Sequence, residues 1–568
     1  MSPWRPPPEL RRAFWGVLLL GLVLRLVLAA EVVGRGTGFD FAHPLDTWLY
    51  PAKARLILEE GDYGLARVPD ALFRGATTGV PGFFNTPEGR ARFLRAGERP
   101  LVDAPGYPYL VAASWRLTGS HDPLRVLQVL ATLATAYLTF VLARLLGLSG
   151  RVAIGAMALV TLHTATVFYA AFLLKPTLIT LELLAVCLAL ACYTRRPGLR
   201  PALALGAALG AIHLTKGIVP LALPFLGLGL LWAPASWRAR AGHAAAFVAA
   251  FLLVCAPLIL RGLTHGTGLL HNGQSTYLLF VCNYTGADGL HLVQPPVAYV
   301  MERIEGRTSA LQVLGAAIDS HPSFWHFLGL LLRKLQGFCS GYEAWNNLEL
   351  GRDRWLLSSL RGFPLGSWFL IPCGLLGVPF ALARGKRLLP LWTGLGVVFV
   401  SCMASFVFAR YRLPAVPYVA ILAALALARL RGRRLVPGAL LLALLIGLCS
   451  PTALELTRHG DGPAIRGSWS EHEATRALAV RYAPGPNRAL TAALLARAAR
   501  THPALEHDPA RLSREALVDA LELHVEAYRA CRAAGDEAAA QAVLASVAPL
   551  DPSGELRRRL AAEPAGGR

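Results

Sequence analysis

Eleven apolar runs divide the first 451 residues of this chain, most of them near the roughly 20 residues a helix needs to cross the hydrocarbon core of a bilayer. They fall at about 13–33, 124–146, 152–171, 177–194, 201–215, 217–233, 243–262, 366–383, 389–408, 413–429 and 435–451. Only helices and closed barrels satisfy their own backbone hydrogen bonds in lipid. Runs of this length predict an all-α polytopic membrane protein. Charge agrees: 16% of the 568 residues are charged, against about 25% in soluble domains. Runs 201–215 and 217–233 are separated by Thr215-Lys216-Gly217 alone. This break reads as a tight helical hairpin; one long span would invert everything downstream.

Orientation follows from the short loops, because cytoplasmic loops carry the excess of Lys and Arg. With the N-terminus in the cytoplasm, sixteen basic residues lie inside, from Arg5 to Arg434. The short outer turns hold four: Lys175, Lys216, Arg410 and Arg412. Three large segments then lie outside: 34–123, 263–365 and the tail from 452. The expected organisation is a transmembrane module over 1–451 and a helical, periplasmic tail over 452–568. In the tail, "LELHVEAYRACRAAGDEAAAQAVLASVAPLDP" reads as two amphipathic helices meeting at Gly535-Asp536, like one degenerate helix-hairpin repeat. The apolar run near the N-terminus has no convincing cleavage site and reads as a retained helix.

The net charge of +21 belongs to this topology, since the Arg residues stand between apolar runs, so no nucleic-acid partner is expected. Nine Cys form no CxxC and no Cys/His cluster, and no cofactor is expected, a divalent metal ion being the open alternative. Cys282 and Cys339 fall in one outer loop, where a disulfide is an open alternative to two free thiols.

Ordered outer loops of this length point to a function at the outer face. The first carries Asp40 and Asp46, the second at the start of an amphipathic helix over 46–60. An acid there serves either as a general base for an acceptor hydroxyl or amine or as a helix N-cap. The four outer cations either snorkel to headgroups or hold an anionic ligand, for which Arg is suited to phosphate oxygens. Arg25 and Glu182 are charges inside spans, and such groups usually face a bundle or a cavity. Glu343, in "GYEAWNN", is a second acid candidate or an exposed loop carboxylate.

Several stretches resemble glycosyltransferase family 39, the dolichyl-phosphate-mannose protein mannosyltransferase-like group of the GT-C superfamily, in its bacterial members. They are "PLDTWLYPAKARLILEEGDY", "DAPGYPYLVAASWRLTG", "HLTKGIVPLALPF", "HNGQSTYLLFVCNYTGADGLHLVQP", "HPSFWHFLGLLLRKLQGFCSGYEAWNN" and "ARYRLPAVPY". The first is similar to the family's Asp-x-x-x-Tyr segment, here Asp46 to Tyr50. The resemblance runs from about residue 10 to 430 and leaves the tail uncovered.

It implies a GT-C-like bundle in the bacterial inner membrane. It also implies inverting transfer of a sugar from a polyprenyl-phosphate carrier to a protein, lipid or glycan acceptor at the outer face. Asp46 falls on the base position. Lys216, Arg410 and Arg412, with Lys175, would hold the carrier phosphate, and Tyr50, Asp40 and Glu343 would line the substrate site. Two departures matter. The family often has Asp-Glu where this chain has Asp46-Thr47, and Glu where Lys175 stands. A nucleotide-sugar donor is disfavoured by the lack of a Gly-rich phosphate loop and of a sizeable cytoplasmic domain. The alternatives are a transporter or flippase of lipid-linked substrates, for which internal repeats and broken helices are not clear, and a non-catalytic scaffold displaying the tail.

Overall fold

A computed structural model describes residues 3–34, 46–61, 104–217, 219–265, 275–291, 295, 297–305, 307, 309–344, 350, 357–361, 365–430, 435–450, 492, 495, 496, 499, 514–551 and 554–562. Among them there are helices and no strands. In chain order these are α1 (Arg11–Gly34), α2 (Asp46–Glu60), α3 (Gly106–Thr118), α4 (Asp122–Leu145), α5 (Gly150–Leu162), α6 (Thr164–Ala171), α7 (Pro176–Arg195), α8 (Leu199–Thr215), α9 (Val219–Trp232) and α10 (Trp237–His265). The segment 263–365 holds α11 (Ser275–Val281), α12 (Val297–Ile304), α13 (Ala310–Asp319), α14 (Phe324–Cys339) and α15 (Ser358–Arg361). Then come α16 (Ser367–Leu382), α17 (Leu389–Ala404), α18 (Ala409–Arg412), α19 (Val416–Leu427) and α20 (Leu435–Leu448). The tail contributes α21 (Arg514–Ala533), α22 (Glu537–Ser546) and α23 (Glu555–Ala562).

Every one of the eleven apolar runs carries a helix. Six described helices are long and apolar enough to cross a membrane, and α5 with α6 makes a seventh if that pair, bent by 51°, counts as one span. Shorter apolar helices, α8, α9, α16 and α20 among them, account for the rest. The runs 201–215 and 217–233 carry two separate helices, α8 and α9.

The bend in the third run falls at His163. His163 adopts an extended backbone, φ −69° and ψ 121°, which ends α5 and starts α6. Thr164 at the break donates its backbone N–H to the Leu365 carbonyl at 2.8 Å, and its hydroxyl donates to the same oxygen at 2.9 Å. An interrupted helix in a membrane needs such partners for its freed backbone groups.

Glycine sets the helix spacing. A Cβ at Gly206 of α8 would lie 2.1 Å from the Phe247 carbonyl oxygen of α10, and one at Gly210 would lie 2.8 Å from Cβ of Val254. Gly377 of α16 meets the Leu422 carbonyl of α19 equally closely. Small residues let backbones approach in this way, and dispersion contacts follow. The buried guanidinium of Arg25 joins three helices. Its Nε donates to the Thr132 hydroxyl at 2.7 Å, and its Nη1 donates to the carbonyls of Gly21 and Thr161 at 3.0 and 3.1 Å.

Within 263–365, α11, α13 and α14 bury Phe280, Val281, Val313, Phe327 and Leu330 together with Phe406 and Phe408. Ser309 and Gln312 form a capping box at α13, and Ser323 caps α14. Cys282 is buried in this apolar cluster, and both it and Cys339 are free thiols. The disulfide alternative is therefore corrected: Cys282 is a small core residue. The tail helices form a separate compact unit. There α21 and α22 pack Leu523, Ala527, Tyr528, Val543 and Leu544, and Gly535, at φ 76°, makes the turn between them.

Candidate active site

Two groups of side chains gather where helices end. The first is basic and aromatic. On α2, Tyr50 and Lys53 are three residues apart and share a face; both are fully buried. The Lys53 ammonium and the Lys175 ammonium each lie 5.7 Å from the centre of the Tyr50 ring. Tyr50 packs edge-on against Tyr107 of α3, with centroids 4.7 Å apart. The Tyr107 hydroxyl donates to Oε1 of Gln128 at 2.6 Å. Burial pushes the Tyr107 phenol well above its ordinary range, which keeps it a neutral donor. Gln128 and Arg125 of α4 donate to the carbonyls of Phe172 and Ala171. These bonds fix the connector that delivers Lys175 to the start of α7.

Lys216 follows the last turn of α8. The Thr215 hydroxyl donates to Glu182 at 2.8 Å, tying that end to α7. A Cβ at Gly106 would lie 2.9 Å from the Leu214 carbonyl, so α3 packs closely on the same turn. The Lys216 ammonium stands 3.9 Å from the centre of the Tyr411 ring, and the Arg410 guanidinium lies 5.1 Å from that centre. A cation over an aromatic face is stabilised by the ring quadrupole.

The second group surrounds Arg412, which is 6% exposed. Its Nη1 donates to the carbonyls of Gly337 and Ser340 at 2.9 and 2.7 Å, and its Nη2 donates to the Tyr342 carbonyl. Nη2 also pairs with Glu343 at 3.3 Å. Glu343 accepts from the Ser367 hydroxyl, which lies 3.4 Å from Nε2 of His163. Arg412 thus organises the 337–343 turn. Its guanidinium is committed to carbonyls, whereas Lys175, Lys216 and Arg410 lean on tyrosine rings.

An apolar cleft adjoins this polar cluster. His163, Glu343, Ser367 and Arg412 form one end, and apolar side chains such as Leu370, Ile371, Leu375, Val419 and Leu422 form the rest.

Of the residues singled out by sequence, the structure brings Tyr50 to Lys175, Lys216 and Arg410 to Tyr411, and Glu343 to Arg412. Asp46 begins α2, but its side chain lies outside the described residues, as does all of Asp40. Sequence reasoning passed over His163, Ser367, Tyr107, Lys53 and Tyr411. A polar His in the apolar run "ALVTLHTATVFYAAF" was a usable signal; the other four had none. Among the described residues no cluster of three or more metal-ligating side chains occurs.

No curated protein matches the chain. The family model of dolichyl-phosphate-mannose-protein mannosyltransferase matches residues 101–263, the stretch from α3 through most of α10 that carries Tyr107, Gln128, His163, Lys175, Glu182 and Lys216. With the helical bundle, this match makes the chain a multi-pass membrane protein that resembles glycosyltransferase family 39.

Proposed function

We propose that this protein transfers a sugar from a polyprenyl-phosphate carrier to an acceptor at the outer face of the cytoplasmic membrane, with inversion at the anomeric carbon. The observation that carries this reading is the cleft, apolar along α16 and α19 and polar at Glu343, Ser367 and His163. Its apolar walls suit an isoprenoid chain, and the cations over Tyr411, the residue next to Arg412 of the lining, suit its phosphate. The family match to 101–263 supports the lipid-linked sugar as substrate.

In this mechanism the isoprenoid enters between helices and its phosphate meets Lys216 and Arg410, with Lys175 close by. Fixed cations stabilise the negative charge that grows on the leaving phosphate, and they do so without reorganisation during the reaction. Asp46, at the first turn of α2, takes the proton of the acceptor hydroxyl or amine as that atom attacks the anomeric carbon. The buried face formed by Tyr50 and Lys53 lies one turn further along the same helix. Protein, lipid and glycan acceptors all supply such a hydroxyl or amine.

The test is transfer by the purified full chain in liposomes from polyprenyl-phosphate mannose, with the Asp46→Asn variant beside it. Loss of about 100-fold or more in turnover with intact folding is expected for a general base. Wild-type turnover in that variant would remove Asp46 from the mechanism. No transfer by the wild type from any polyprenyl-phosphate sugar would remove the reading itself.

A further inference from the structure

Helix α14 carries its cations inward and its leucines outward. Arg333 is 3% exposed and Lys334 is fully buried. The Lys334 ammonium donates to Oδ1 of Asn283 at 2.7 Å and to the Met403 carbonyl at 2.9 Å. On the opposite side, Trp325 is 75% exposed and Leu332 57%; Leu335 is exposed as well, and Leu328 is half-buried. Positions 325, 328, 332 and 335 follow i, i+3, i+7 and i+10, so they form one stripe along the helix. A helix that lies on a protein in water is amphipathic in the opposite sense, with its apolar stripe on the core and its charges outside.

The same chain shows what each solvent selects. Large apolar side chains stand exposed on the helices long enough to cross a bilayer, as Leu19 does on α1 and Leu253 and Leu260 do on α10. Among the described side chains of α21, α22 and α23 no large apolar residue is exposed, and the exposed positions hold residues such as Glu526, Gln541 and Arg558. The outward stripe of α14 is therefore of the kind that the spans present. At 16 residues, with two cations on its inner face, α14 is not itself a span.

The C-terminal end of α14 is joined to apolar helices. Phe338 packs edge-on against Phe399 of the candidate span α17, with centroids 5.3 Å apart. Just beyond the helix, the Ser340 hydroxyl and the Gly341 N–H both donate to the Cys449 carbonyl, at 3.1 and 2.7 Å. Cys449 follows directly on α20, an apolar helix with no buried residue. The stripe thus continues the lipid-facing surface of these helices. Cys339, two heptads after Trp325 and on the same side, lines the cleft together with Phe338.

We propose that α14 lies in the bilayer surface with Trp325, Leu328, Leu332 and Leu335 among the phospholipid acyl chains. Part of segment 263–365 is then held in lipid, and its apolar stripe leads from the bilayer to the wall of the cleft. The cations face inward because the outer side of this helix meets hydrocarbon, where a charge is costly. Trp325 stands at the end away from the spans, and a tryptophan ring is favoured at headgroup level. This contact does not depend on the sugar-transfer reading.

The test uses the full chain in vesicles of phosphatidylethanolamine and phosphatidylglycerol. The photoreactive p-benzoylphenylalanine replaces, in separate samples, Trp325, Leu332, Leu253 or Gln541. Leu253 of α10 is the lipid reference, and Gln541 of α22 is the water reference. After irradiation, mass spectrometry measures the fraction of chain that has gained the mass of one phospholipid. Positions 325 and 332 should match Leu253 and exceed Gln541 by about tenfold, because an interfacial helix buries its apolar face about 5–10 Å deep. Phospholipid adduct at 325 and 332 no greater than at Gln541 would overturn the proposal. So would a cross-link from position 332 to a second copy of the chain, or to another part of the same chain, in place of lipid, since protein would then cover the stripe. All four positions are exposed, so the replacements leave the packed core as it is.

Discussion

The Lys216 ammonium stands 3.9 Å from the centre of the Tyr411 ring, so the residue that closes α8 and the one beside Arg412 meet face to face. Lys216→Met keeps the stem against the ring and removes the charge. The KM for polyprenyl-phosphate mannose should rise about tenfold or more, because a hydrogen bond to a charged group contributes roughly 1.5–3 kcal/mol. Thermal unfolding in detergent should stay close to that of the wild type. An unchanged KM would take Lys216 out of the phosphate site.

Arg412 predicts the opposite balance. Removing it leaves Glu343 without its partner and the carbonyls of Gly337, Ser340 and Tyr342 without a donor. Breaking a buried pair by deleting one partner costs about 3–5 kcal/mol. Arg412→Ala should therefore lower the unfolding temperature clearly. Arg412→Lys should not restore it, since one ammonium does not span the fork of carbonyls that a guanidinium reaches. Wild-type unfolding in either variant would contradict the geometry.

Lys334 sets a pH dependence. It is fully buried and donates to Oδ1 of Asn283 at 2.7 Å and to the Met403 carbonyl at 2.9 Å. Burial pushes its pKa down to about 8 from an ordinary 10.5. Between those values the unfolded chain holds a proton that the folded chain has released. Where the unfolded state binds more protons, stability rises with pH. This residue should thus stabilise the protein increasingly from pH 8 to about 10.5, by about 3 kcal/mol in all. The unfolding-temperature difference between wild type and Lys334→Met, followed from pH 7 to 10.5, should move in favour of the wild type. A flat difference would place the ammonium in water.

Gly206 and Gly377 sit where two backbones nearly touch. Gly206→Val must push α10 away from α8, and overpacking of this kind costs about 1–3 kcal/mol or more. Reduced yield of folded protein and a lower unfolding temperature are expected, with Gly227→Val, at a position with open space around it, as the control. Equal behaviour of the two variants would mean that α8 and α10 do not approach as described.

Helices were the most legible part of this chain because lipid selects for long apolar runs, and each run predicted a helix. Helix length was less legible. At 14 residues, α9 and α20 are shorter than their runs suggested. The break at His163 involves neither proline nor glycine; it depends on Leu365, about 200 residues away, as a hydrogen-bond partner. Lys175, Lys216, Arg410 and Arg412 could be listed from the loop charges alone, but the ring or carbonyl partners of each could not. Arg410 and Arg412 look alike in "ARYRLPAVPY", and only the fold turns the second into the 337–343 turn. Tyr342 and His291 are separated by 51 residues, a pairing with no signature in spacing.

Arg25 has a consequence for how the protein is made. A charge at the centre of a helix costs about 2.5–3.5 kcal/mol when that helix enters the membrane alone. In the finished bundle the guanidinium is sheltered by Thr132 and by the Thr161 carbonyl, which leave the ribosome more than a hundred residues later. The first helix is therefore a debtor during synthesis. It settles only when α4 and α5 arrive, so the order of translation becomes a condition of assembly.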